Sequence, residues 1–234
     1  MRTFVIIGAS RGLGSGLAEG LPEAGDQLIM VSRARPKALD LSDGVIRKWL
    51  ALDVANPEWA AQLSTAIGLS PVDMLVYVAG VWESSDEPAA VKADEFYNIL
   101  AVNTAGFIAA AQALASNLKL AKRGIIAVIG STEGLENAAG PCIAYAASKF
   151  GVRGAAHSLR DYFRSSGVMV TCLSLGCIAT DTSFNQGILE AIRRHDGRRI
   201  PIEDIRNILR FLLGISPATC IKEIDVPAQL DQEA

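Results

Sequence analysis

The chain of 234 residues is long enough for one sizeable α/β domain and marginal for two. Half of it is hydrophobic, its mean hydropathy is +0.28 and aromatics make up only 6%, so a large core must be packed from Ala, Val, Ile, Leu and Gly. A net charge of −3 provides no global basic field, which argues against nucleic acid or an anionic membrane as partner.

The opening "MRTFVIIGAS" holds an apolar run too short for a signal peptide or a membrane span, and it breaks on glycine, so a cytoplasmic protein is expected. Short, nearly continuous apolar runs then recur at 3–8, 27–32, 73–80, 124–130 and 168–176, with shorter strands expected around 46–54 and 220–227. Strands without polar alternation are buried on both faces, as in a parallel sheet sandwiched by helices. Helical spacing falls between them, at 12–25, 57–67, about 94–119, about 143–165 and 202–214. This β-α-β-α alternation predicts a doubly wound sheet in a single domain spanning 1–234, with "ESSDEP" at 83–88 a local turn. Four cysteines (Cys142, Cys172, Cys177, Cys220) form no CxxC pair, and His157 and His195 lie far apart. No metal-ligand spacing results, and buried thiols in a reducing compartment are expected.

"GASRGLG", Gly8 to Gly14, follows the first strand and opens a helix. Glycines allow a tight turn and close backbone approach, and the helix N-terminus offers free N–H groups to a pyrophosphate. Gly8, Ser10, Arg11, Gly12, Leu13 and Gly14 are therefore candidate nucleotide-binding residues. The second strand ends "VSRARPK", where an acidic residue would accept hydrogen bonds from an adenosine ribose and repel a 2′-phosphate. Ser32 and Arg33 stand there instead. Two guanidiniums, Arg11 and Arg33, converging on one dianion favour NADP over NAD, while Arg35 and Lys37 read equally well as solvated loop cations. After the third strand, Asp53 and Val54 are placed to face an adenine, with a turn-capping aspartate as the alternative for Asp53.

In "YAASK", Tyr145 and Lys149 are four residues apart and share a helix face. An ammonium beside a phenol favours the phenolate, which would bring the tyrosine from its ordinary ~10 toward the working range of a general acid or base. Read alone, the pair is equally a half-buried tyrosine with a surface lysine.

With these stretches in hand, the chain from about Arg2 to Pro227 resembles the short-chain dehydrogenase/reductase family. The resemblance is carried by six motifs in order: "GASRGLG", "YVAG", "VNTAG", "GSTEG", "YAASK" and "GCIAT". It implies a Rossmann-type, mainly parallel sheet of about seven strands flanked by helices. It also implies hydride transfer between a nicotinamide cofactor and an alcohol or carbonyl carbon. Carried over by position, Tyr145 would protonate the carbonyl oxygen, and Lys149 would depress its pKa and hold the nicotinamide ribose. Ser131 would hydrogen-bond the reacting oxygen, and Asn103 would hold a water linking Lys149 to solvent. Ala79 and Gly80 would floor the cofactor site, with Ile178 and Thr180 at the carboxamide. The family commonly pairs subunits through its long helices, here about 94–119 and 143–165, so a homodimer or homotetramer is implied.

This chain departs from that pattern in three places. Tyr77 and Val78 stand where two asparagines are usual, so bracing of the central sheet must come from packing. Leu175-Gly176 replaces Pro-Gly, which loosens the turn toward Ile178 and Thr180. The serine-to-tyrosine interval is one residue longer, leaving Thr132 as a rival to Ser131; "GSTEG" favours Ser131, with the extra residue in "LENAAGP". The run "IRRHDGRRIP", 192–201, lies where the family has a mobile lid. Gly197 is its pivot, and Arg193, Arg194, Arg198 and Arg199 either solubilise it or meet an anionic substrate or acidic carrier.

The expected protein is an NADP-dependent oxidoreductase reducing a small-molecule carbonyl to an alcohol, with a 3-oxoacyl thioester reductase as one subtype. Trp82, Cys142 and Phe184 are candidate pocket residues. The reading from a different class is a nucleotide-binding regulator that kept the fold without turnover; complete Tyr, Lys, Ser and Asn positions oppose it.

Overall fold

The computed structural model describes residues 1–136 and 141–231. Its strands are β1 Thr3–Ile7, β2 Gln27–Ser32, β3 Ile46–Ala51, β4 Met74–Tyr77, β5 Ile125–Ile129, β6 Met169–Leu175 and β7 Glu223–Val226. All pair in parallel in one sheet of order β3-β2-β1-β4-β5-β6-β7. The chain steps outward from β1 to β3, then crosses to β4 and proceeds the other way. A crevice therefore opens between the C-terminal ends of β1 and β4, where such sheets bind ligands.

The helices are α1 Gly12–Gly20, α2 Trp59–Ile67, α3 Ala93–Leu100, α4 Gly106–Ala113, α5 Ala115–Leu120, α6 Ile143–Phe163, α7 Gly187–His195 and α8 Ile202–Gly214. Successive strand residues point to opposite faces. Phe4, Ile6, Leu28 and Met30 pack with Leu13 and Leu17 of α1 and Ile205 and Leu209 of α8. Val5, Ile7, Val31 and Tyr77 pack on the other face with Leu63 of α2, Phe107 of α4, and Val152 and Ala156 of α6. Both faces are covered, which is why the strand sequences show no polar alternation.

Three expected boundaries move. The first helix ends at Gly20 rather than 25: Leu21 still donates to the Leu17 carbonyl, but Pro22 has no N–H with which to continue the ladder. The long helix at 94–119 is not continuous. Between α3 and α4 the segment Ala101–Ala105 is a π-turn, in which the Gly106 N–H reaches back five residues to the Ala101 carbonyl, and Leu114 breaks α4 from α5. Finally, Ile192 to His195, expected in a lid loop, belong to α7. That helix is supported by ion pairs from Glu190 to Arg193 and Arg194 and closes on Asp196 and Gly197, both at positive φ. Only Cys172 of the four cysteines is fully buried; Cys177 and Cys220 are exposed, against the expectation of buried thiols. Among the described residues no helix is long and apolar enough to cross a membrane.

Candidate active site

The crevice is a cleft of about 460 Å³. Gly8, Ser10, Arg11, Gly12, Leu13 and Gly14 line one wall, Ser32, Arg33, Asp53 and Val54 one end, and Ala79 and Gly80 the floor. Tyr145, Lys149, Ile178 and Thr180 complete it, so every residue assigned from sequence to the dinucleotide borders the same space. The glycine loop fits a pyrophosphate. A Cβ on Gly14 would lie 2.1 Å from the Gly8 carbonyl oxygen, so the β1 end and α1 approach as closely as backbone allows. The first N–H groups of α1 are left for an anion.

At the end of the cleft formed by β2, Arg11 and Arg33 are exposed, while Arg35 is tied to Asp40 at 2.7 Å and does not line the cleft. Asp53 does two things. One carboxylate oxygen accepts the Ala55 N–H at 3.0 Å, the turn cap that was one alternative, and the other lies 3.9 Å from Arg33. The Ser32 hydroxyl donates to the Ala34 carbonyl at 2.7 Å and so shapes the turn carrying Arg33.

At the carboxamide end, the turn without proline is not loosened. The Gly176 N–H continues the sheet ladder to the Val226 carbonyl at 3.0 Å, and Ile178 bridges to Ile200 in parallel register. Of the candidate pocket residues, only Trp82 lines the cleft. Phe184 instead packs into the core, where it fills the space a side chain at Gly20 would need, and Cys142 caps the start of α6.

The reactive end joins three elements. Ser131 follows β5 by two residues and caps the short 3₁₀ turn Thr132–Gly134, its Oγ accepting the Glu133 N–H at 3.2 Å. Its hydroxyl lies close enough to the Tyr145 phenol to favour the ionised form, an influence that Thr132 does not exert. The extra loop residue assigned to "LENAAGP" lies partly at 137–140, outside the described residues. Lys149 is buried, its Nζ donating to the Ile129 carbonyl at 2.9 Å and standing 5.4 Å from the centre of the Tyr145 ring.

The titration of this pair differs from the expectation. Burial lifts the Tyr145 phenol above its ordinary value, against the influence of the Ser131 hydroxyl, and the nearby Glu133 carboxylate adds to the rise. Burial meanwhile lowers Lys149 to about 8. The phenol is not depressed, because the ammonium is itself desolvated and bonded to a backbone carbonyl. Asn103, also buried, sits in the π-turn. Its Oδ1 accepts the Val81 N–H at 2.9 Å, and its Nδ2 donates to the Val81 carbonyl and to Ser148 Oγ, each at 2.8 Å.

The family model for short chain dehydrogenases matches residues 2–188. The chain belongs to the short-chain dehydrogenase family. It is thus an NAD(P)-dependent oxidoreductase by family. It is 33% identical over 184 residues to the 3-oxoacyl-[acyl-carrier-protein] reductase FabG of Vibrio cholerae, covering 77% of this chain and 75% of that protein. A metagenomic short-chain oxidoreductase solved in complex with NADP matches at 25% identity and TM-score 0.79, covering 98% of each chain. An alcohol dehydrogenase from Thermococcus sibiricus, complexed with 5-hydroxy-NADP, shares the fold at TM-score 0.83 and 20% identity, covering 100% of this chain and 99% of that one.

Within this family member, three residues escaped the sequence reading. Glu83, placed in a local turn, is buried, and its carboxylate accepts the N–H groups of Ala144 and Tyr145 at the start of α6. A carboxylate there meets both free N–H groups and the helix dipole. Nothing local marks it, since its targets lie more than 60 residues away. Glu133, inside "GSTEG", has a buried Oε2 without a partner and a carboxyl raised by burial and by Glu83. Ser148, inside "YAASK", passes the Asn103 bond on to the Tyr145 carbonyl at 2.6 Å. Of the four basic-run arginines, Arg193 and Arg194 are engaged by Glu190 and Asp181, which leaves Arg198 and Arg199 exposed.

Lys149 gives a stability prediction. Its folded pKa of about 8 lies below the ordinary 10.5, so holding the ammonium in place below pH 8 costs about 3 kcal/mol. Between these two pH values the unfolded chain binds more protons, and stability rises with pH. Lys149→Met, which keeps the apolar stem, should therefore unfold at higher urea than wild type at pH 7. The gap should shrink as pH rises from about 8 to 10.5; a constant gap would assign the titration to another group.

Proposed function

We propose that the protein is an NADP-dependent reductase that converts a small-molecule carbonyl to an alcohol. The observation that carries this reading is the convergence of the Ser131 hydroxyl, the Tyr145 phenol and the buried Lys149 ammonium, 5.4 Å from the centre of the Tyr145 ring, beside a glycine-walled cleft. A nicotinamide dinucleotide bound in that cleft supplies the hydride to the carbonyl carbon. Ser131 and Tyr145 together point two hydroxyls at the oxygen, where negative charge develops, and Tyr145 gives up its proton to form the alcohol. With its pKa raised by burial, the tyrosine would enter a reduction as an acid with its proton in place. Lys149, with its pKa near 8, then returns a proton to the phenolate. Asn103 Nδ2 gives both hydrogens to Val81 and Ser148 while Oδ1 accepts one bond from Val81, so a water on this path would meet the side chain at the second lone pair of Oδ1.

NADP is favoured by the exposed Arg11 and Arg33 at the adenosine end, where no acidic residue ends β2, and by the NADP complex of the 25%-identical structure. The relative from Vibrio cholerae supports a 3-oxoacyl thioester as one substrate class, and exposed Arg198 and Arg199 suit an anionic carrier of it. A homodimer or homotetramer through α3 and α6 is supported by exposed Tyr97, Leu100 and Phe150 on those helices.

Steady NADPH oxidation against a panel of ketones and 3-oxoacyl thioesters tests the reading; no turnover with any of them would overturn it. Tyr145→Phe should abolish turnover while NADPH still binds, as followed by nucleotide fluorescence. Ser131→Ala should lower kcat by roughly 10²–10³, the scale of one lost oxyanion donor, while Thr132→Ala costs little. The reverse ranking would move the hydroxyl role to Thr132. Arg33→Ala should raise KM for NADPH far more than KM for NADH, since only NADPH carries the 2′-phosphate; equal changes would separate Arg33 from that phosphate.

A further inference from the structure

Tyr77 ends the central strand β4 and is buried, 1% exposed, where the family resemblance implies an asparagine. Its ring packs against Phe107 at 5.7 Å between centroids, and its hydroxyl leaves the sheet to donate to the Val102 carbonyl in the π-turn. Gly106 makes room for it, since a Cβ there would lie 2.3 Å from the phenol oxygen. The next residue after Val102 is Asn103, clamped to Val81, four residues beyond Tyr77, and to Ser148, the neighbour of Lys149. Thr104 adds a bond from its hydroxyl to the Ser148 carbonyl at 2.9 Å. The π-turn is thus tied on one side to the cleft floor and on the other to the helix that carries Tyr145 and Lys149.

A π-turn is an uncommon conformation that persists where outside contacts hold it, often at functional sites. Packing alone would not choose it over a regular helix. The Tyr77 hydroxyl binds a carbonyl inside the turn, from a rigid central strand, and in a site without bulk water that bond is strong and directional. We propose that Tyr77 is a positioning residue: its hydroxyl holds the π-turn, and through Asn103 and Ser148 it sets Lys149 relative to Tyr145. This rests on the reductase reading above. The Tyr77 phenol takes no proton from substrate; it acts through the backbone of Val102.

Tyr77→Phe removes only the hydroxyl and keeps the ring. In that variant KM for NADPH should hold, while kcat falls roughly tenfold to a hundredfold, part of the ~10²–10⁴ that a positioned proton donor supplies. The alkaline limb of the kcat profile should also shift, because Lys149 would no longer be held in the same surroundings. A merely structural tyrosine would lower the unfolding temperature and leave the profile in place. Gly106→Ala approaches the same contact from the other side. It should destabilise the wild-type background, where the new methyl meets the phenol oxygen, far more than the Tyr77→Phe background, where that oxygen is gone. A kcat and pH profile unchanged in Tyr77→Phe, or an equal cost of Gly106→Ala in both backgrounds, would overturn the proposal. Absence of turnover in the wild-type protein would instead sink the reductase reading and the rate arm with it, while the Gly106→Ala stability cycle would still stand or fall on the hydroxyl contact.

Discussion

The burial of one ammonium group governs the reactive end of this molecule. Lys149 is 5% exposed, and among the described residues no carboxylate bonds to it; its Nζ is held by the Ile129 carbonyl at the end of β5 and by the face of Tyr145. A lone buried cation is expensive, and the cost appears as a pKa lowered to about 8. The surrounding elements are arranged to tolerate it. β5 ends so that a carbonyl meets the cation, and the turn Thr132–Gly134 comes against the backbone of Lys149 itself, where a side chain on Gly134 would not fit. The Glu133 carboxylate in that turn favours the charged form from a distance, without neutralising it. An ion pair would have fixed the proton on the lysine; a backbone carbonyl leaves it available.

Carboxylates shape the other partner. Glu83 fastens the first turn of α6, the turn that carries Tyr145, by accepting its N–H groups. Glu133 lies beyond Ser131 with one oxygen buried and unpartnered. The field of Glu133 disfavours a phenolate, as does burial, and the Ser131 hydroxyl works the opposite way. The two groups of "YAASK" are therefore moved apart on the pH scale, tyrosine upward and lysine downward. The simple pairing of a phenol with an ammonium predicts a lowered phenol. It omits the desolvation that both groups suffer when placed behind a closed sheet end.

The seven strands and the cleft residues were legible because parallel strands advertise burial through unbroken apolar runs, and because the glycine loop and strand ends bind through backbone at fixed spacing. Tyr145, Lys149 and Ser131 could be read for a similar reason, since their spacing along one helix and one strand end is local. What could not be read has partners far away in sequence. Glu83 reaches 61 residues to Ala144, Asn103 reaches 45 to Ser148, and Tyr77 reaches 25 to Val102. Propensity likewise offered no specific signal for the π-turn: Val102, Asn103, Thr104 and Gly106 are weak helix formers, but that does not distinguish a π-turn from an α-helix. The break in the expected long helix is a tertiary effect, and so is the inward turn of Asn103.

The contacts missed from sequence share one form: a polar side chain from one element bonds to the backbone of another. Glu83 holds N–H groups, Tyr77 and Ser148 hold carbonyls, and Asn103 holds both groups of Val81. Backbone targets have no side-chain identity, so no motif records them, and the same residue type can serve different targets. A tyrosine and a glycine do here, across the gap between β4 and α4, what the family resemblance assigns to an asparagine. Its longer reach places the hydroxyl in the π-turn instead of within the sheet. The substitution therefore relocates the brace rather than removing it. The altered "YVAG" stretch becomes part of the framework that orients Asn103 and Lys149.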